Sequence, residues 1–127
     1  RARAYTVAEN LLQAHPDLDA FFAANDEMAL GALEAADAAH RLNQLSVIGF
    51  DAIPDALANI RLGRMSGSVA QYPSEMGRLG VVHAVALLRD GVRPPPEVLT
   101  RVELIDLGNI DAFEGATSAE TEAVEQP

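Results

Sequence analysis

Ser46-Val47-Ile48-Gly49-Phe50-Asp51-Ala52-Ile53-Pro54 is the stretch that decides the fold. Its first five residues are largely apolar and include β-branched and aromatic side chains, which suits a short buried strand. Pro54 suits the first turn of a helix. Ile53, Leu57 and Ile60 give that helix an apolar stripe, and Gly63 is a C-terminal stop. The unit is therefore a strand that runs through an acidic residue into a helix.

The same unit recurs on both sides. Upstream, Ala20-Phe21-Phe22-Ala23 reads as a strand, and Asn25 or Asp26 caps an Ala-rich helix with Leu30, Leu33 and Ala36 on its inner face. Asp37 marks the polar edge of that stripe. Before it, Ala4, Val7, Ala8, Leu11 and Leu12 recur at helical spacing until Pro16 disfavours helix at His15. Downstream, Gly67-Ser68-Val69-Ala70 makes a third strand, and Met76 to Leu88 a further helix closed by Gly91 and Pro94-Pro95-Pro96. Thr100 to Leu107 alternates as a last strand. Strand and helix in alternation predict an α/β fold, a parallel sheet with helices on both faces and right-handed crossovers.

Bulk properties exclude several classes. The chain has 127 residues, the size of one domain, and its 49% apolar content supplies a core. It has no Cys, which removes disulfide frameworks and thiolate metal sites. A net charge of −10 makes nucleic acid a poor partner for this segment. No apolar run is long enough to span a bilayer. Glu114, Glu120, Glu122 and Glu125 stand among Ala, Thr and Ser without an apolar period, so residues 114–127 are expected to be an acidic disordered tail. A start at Arg1, inside a helical pattern, reads as a fragment or processed product.

Three strands end alike. Phe21-Phe22-Ala23-Ala24 runs into Asn25, Val47-Ile48-Gly49-Phe50 into Asp51, and Ser68-Val69-Ala70 into Gln71. Ligands of open α/β sheets bind just beyond the carboxyl ends of the strands. Asn25, Asp51 and Gln71 are therefore expected to line one rim. One carboxylate and two amides match a fan of hydroxyls, each of which donates and accepts. A charge-assisted bond from Asp51 would be the strongest, roughly 1.5–3 kcal/mol. A sugar suits this set better than a phosphate, which calls for Gly-rich loops and basic residues. Helix capping by Asn25 and Asp51 and turn formation at Gln71 are the competing structural roles.

Asn25-Asp26-Glu27-Met28-Ala29-Leu30-Gly31-Ala32-Leu33, Val47-Ile48-Gly49-Phe50-Asp51 and Val69-Ala70-Gln71-Tyr72-Pro73 together resemble the signature of ribose-type periplasmic sugar-binding proteins. These are type I periplasmic binding proteins, relatives of the LacI-like regulators. Leu11 to Asp17 and Pro94-Pro95-Pro96-Glu97 before Val102-Glu103-Leu104 extend the resemblance over about residues 1–113.

The resemblance implies a two-lobed receptor that closes on a monosaccharide, a pentose or hexose, and delivers it to a membrane permease of an ABC transporter. It implies a periplasmic or extracellular location, with a lipoprotein anchor as one form, and no cofactor. Asn25, Asp51 and Gln71 match residues that hydrogen-bond the sugar. Residues 1–72 correspond to an incomplete C-terminal lobe, and 73–99 to a hinge crossing and a helix that packs on the other lobe. Residues 100–113 correspond to the returning strand and third crossing. The N-terminal lobe and the first strand–helix units of the C-terminal lobe have no counterpart in this chain. The fragment alone is thus expected to bind sugar weakly or not at all. Met76, Leu79, Val82 and Val85 are expected to drive aggregation, self-association or repacking of their helix.

Rival readings are weaker. The effector-sensing domain of a LacI-type repressor shares the motif order, but such repressors carry Pro-x-Asp before the strand and a second acidic residue after Gly-Phe-Asp. This chain has Leu42-Asn43-Gln44-Leu45 and Ala52 there. An enzyme would need a catalyst, and none presents itself: His15, His40 and His83 are scattered without metal-site spacing, and Asp26 and Glu27 diverge on a helix. No phosphate loop, zinc motif or nucleophile elbow occurs.

Overall fold

A computed structural model describes residues 1–114. Of the acidic tail expected over residues 114–127, Glu114 is instead helical and pairs with Arg61, and residues 115–127 lie outside the described residues. The chain's elements include, in order, α1 (Ala2–Ala14), β1 (Ala20–Phe22), α2 (Asp26–Ala38), a 3-10 turn (Leu42–Gln44), β2 (Ser46–Phe50), α3 (Pro54–Arg61), β3 (Gly67–Gln71), α4 (Pro73–Asp90) and β4 (Val102–Ile105). The described residues divide into two compact units, 1–70 with 104–114, and Gln71–Glu103.

The strands form one sheet in the order β1-β2-β3-β4. β1 pairs parallel with β2, Phe22 opposite Ile48, and β2 parallel with β3, Phe50 opposite Val69. Burial alternates along these strands as the period-2 geometry requires. Val47, Gly49, Ser68 and Ala70 are buried, whereas Ile48, Phe50 and Val69 between them are only half-buried. Val47 and Ala70 join Leu30 and Leu33 of α2, Ile60 of α3 and Ile105 of β4 in the main core. Helix α2 is buried on a second side too, where Ala32, Ala35 and Ala36 meet Ala8 and Leu12 of α1. Ala36 thus faces α1 rather than sharing the stripe of Leu30 and Leu33. Its crossing is close because Gly31 has no side chain: a Cβ there would come 2.5 Å from the Arg1 carbonyl oxygen.

Element ends follow local chemistry. The Asn25 side chain accepts from the Met28 N–H at 2.9 Å, so Asn25 is the cap of α2 and Asp26 its first residue. α3 opens on Pro54 and is followed by Gly63 at φ 68. β4 is shorter than the expected span of Thr100 to Leu107. Asp106 ends it by accepting from the Gly108 N–H at 2.7 Å, while Asn109 Oδ1 accepts from the Asp106 N–H at 2.9 Å. Residues 110–114 are then helical, and that turn buries Ile110.

In the second unit, α4 starts three residues before the expected Met76, because Pro73 is tolerated in a first turn. It closes on Gly91 at φ 67, and none of its residues is buried. Glu103 accepts from the Tyr72 hydroxyl at 2.8 Å and pairs with Arg101, whose guanidinium lies 4.7 Å from the Tyr72 ring centroid. The Tyr72 hydroxyl, and then Arg101, hold the Glu103 carboxyl below its ordinary range against a smaller cost of desolvation.

Candidate functional site

The site is built at the carboxyl ends of β1 and β2. The two strands are paired as far as Phe22 and Ile48; Asn25 comes three residues after the end of β1, and Asp51 immediately after β2. Asn25 has extended backbone (φ −154, ψ 169) within the bend that separates β1 from α2. Its Oδ1 is committed to the Met28 N–H, so the amide's remaining hydrogen-bonding hydrogens are the two on Nδ2. Capping thus uses the oxygen end of this amide and not its nitrogen.

Asp51 follows β2 directly and is exposed. Its N–H donates to the Val69 carbonyl at 2.9 Å, tying the turn to β3. Its backbone is unusual: φ is 111 at Asp51 and 54 at Ala52. Residues other than glycine pay roughly 1–3 kcal/mol for such conformations, which persist only where the surroundings over-determine them.

Those surroundings centre on Asp26, a residue that reading of the sequence assigned only as an alternative cap. Asp26 and Ser68 are fully buried. The Ser68 hydroxyl donates to Asp26 Oδ1 at 2.6 Å and accepts from the Ala52 N–H at 3.0 Å. Asp26 Oδ2 accepts from the Ile53 N–H at 2.8 Å. Burial pushes the Asp26 carboxyl above its ordinary range; the Ser68 hydroxyl and the Ile53 N–H pull it back, and the Asp51 charge adds to the rise. Gly49 makes room for this carboxylate, since a Cβ there would stand 2.0 Å from Asp26 Oδ1. Glycine inside an otherwise apolar strand was the available signal of a close approach.

Gln71 is the last residue of β3 and the first of the second unit. It lies at the carboxyl end of its strand, like Asn25 and Asp51. It is a strand residue, with Tyr72 the N-cap position of α4, so it is not part of a turn. Among the described residues, no three His, Cys, Asp or Glu side chains gather as a metal site.

A family model described as periplasmic binding protein domain matches residues 1–91. The ribose import binding protein RbsB of Bacillus subtilis is 50% identical over 88 residues, which are 69% of this chain and 28% of that protein. The D-allose-binding periplasmic protein of Escherichia coli is 34% identical over 106 residues, 84% of this chain and 34% of that protein. The crystal structure of the Caulobacter myo-inositol binding protein bound to myo-inositol is similar with a TM-score of 0.76 and 39% identity, over 87% of this chain and 38% of that one. The chain therefore spans about a third of the length of such relatives. With most of its length matched by the model and its fold shared with solved relatives, this chain belongs to the periplasmic binding protein domain family.

Proposed function

We propose that the protein carrying this chain is the substrate-binding component of a sugar ABC transporter, a periplasmic or extracellular receptor that grips a monosaccharide and presents it to a membrane permease. Binding, not catalysis, is its task. One observation carries this reading: an exposed carboxylate, Asp51, directly follows β2, and the amide of Asn25 lies beyond the carboxyl end of β1, the parallel strand paired with it. Gln71 is the third proposed ligand, at the end of β3. Carboxylate and amide groups suit neighbouring hydroxyls of an uncharged polyol. The relatives named for ribose and allose, and the structure with bound myo-inositol, fit that ligand chemistry. Anchoring as a lipoprotein remains part of the proposal for the full-length protein.

Calorimetric titration of the full-length protein with D-ribose, D-allose and myo-inositol tests this. At least one is expected to bind, and Asp51→Ala is expected to weaken that ligand roughly ten- to hundredfold, the worth of a charge-assisted bond. Unchanged affinity in Asp51→Ala would remove the reading. An upstream helix-turn-helix in the gene, in place of a signal peptide, would transfer the site to a sugar-responsive repressor.

A further inference from the structure

We infer that Asp26 is a positioning residue for the sugar site: through Ser68 and the Ile53 N–H, it holds residues 51–53 in the backbone conformation that presents the Asp51 carboxylate. The inference rests on the reading of Asp51 as a ligand.

A relaxed turn after β2 would place glycine at φ 111 and 54, yet the chain has Asp51 and Ala52 there. A side chain at position 51 is useful only if something else holds the backbone. Each of the three N–H groups that could do so is engaged. Asp51 donates to the Val69 carbonyl, Ala52 to Ser68 Oγ and Ile53 to Asp26 Oδ2. The last two anchors are one unit, because Ser68 donates its own proton to Asp26 Oδ1. Both carboxylate oxygens are therefore engaged, inside a fully buried site kept open by Gly49. Asp26 is also the first residue of α2, immediately after Asn25. The same backbone segment thus carries one proposed ligand and anchors the loop of another. A buried carboxylate is a costly way to fill space. It is well suited to accepting from the Ile53 N–H, which an apolar residue would leave without an acceptor, and to orienting the Ser68 hydroxyl that accepts from the Ala52 N–H.

The test uses the full-length protein and two readouts. By hydrogen exchange, Asp26→Ala is expected to speed the Ala52 and Ile53 amides at least tenfold while amides within β2 keep their protection. Asp26→Asn, which retains an acceptor for Ile53, falls between. By titration with D-ribose, Asp26→Ala is expected to weaken binding tenfold or more. The same substitution on an Asp51→Ala background should change affinity less than twofold, since the group it positions is gone. Equal losses on both backgrounds, or unaltered exchange at residues 52 and 53, would overturn the inference. If Asp26→Ala does not fold, Ser68→Ala makes the same comparison at Ala52. If the unaltered protein binds none of the sugars, the reading of Asp51 as a ligand falls, while the exchange data still decide whether Asp26 holds the loop.

Discussion

At Gly49 the absence of a side chain has a direct consequence for its neighbour. Gly49→Ala would set a Cβ 2.0 Å from Asp26 Oδ1 and 3.0 Å from the Ala29 Cβ. Forcing atoms into such a site costs about 1–3 kcal/mol, and a lower urea midpoint with unchanged m-value would register it. Asp26 also leaves a mark on pH dependence. Its folded carboxyl is raised above the ordinary 3.8, chiefly by burial. The native state then keeps a proton that the unfolded chain has already released. The stability from this site is full below the unfolded value and is lost as pH rises through the folded one. Asp26→Asn should remove that decline, seen as a flatter plot of unfolding free energy against pH between those two values than in the unaltered protein.

Single elements divide the work of Asn25. As a cap, its oxygen secures the start of α2, and Asn25→Ala should cost about 1 kcal/mol of stability. Asn25→Asp keeps an acceptor for the Met28 N–H but removes both amide donors. It should hold the melting temperature near that of the unaltered protein while weakening sugar binding. Equal losses of stability in the two variants would mean that the amide nitrogen also serves the fold. Pattern reading located strands and helices well where apolar periodicity was long, as in α1 and α2. It missed the 3-10 turn at Leu42–Gln44 and overextended β4, because those boundaries depend on single hydrogen bonds such as that from Gly108 to Asp106.

For the whole molecule, the issue is what covers α4. Val81, Val82, Val85 and Leu88 on this helix are between 48% and 86% exposed. Contiguous apolar surface of this kind is a site of association. The isolated 127-residue chain is expected to self-associate in sedimentation velocity, and Val82→Ser with Val85→Ser to shift it toward monomer. A monodisperse monomer from the unaltered chain would show that this face does not drive association. Among the described residues, no helix is long and apolar enough to cross a membrane.

By itself the sequence determined the alternation of parallel strands with helices, and the polar residues Asn25, Asp51 and Gln71 at the ends of β1, β2 and β3. Period, turn residues and strand length are local properties, so they survive in a one-dimensional reading. Only the tertiary structure decided that Asn25 caps α2 with its oxygen, and that Asp26 turns inward to Ser68 and the Ile53 N–H. Those partners lie 42 and 27 positions away along the chain. The positive φ at Asp51 and Ala52 is likewise visible only in the structure, where their N–H groups donate to the Val69 carbonyl and Ser68 Oγ. Side-chain choice at two adjacent positions, 25 and 26, looked interchangeable in sequence; burial separates them, because only the buried one must find partners for every polar atom.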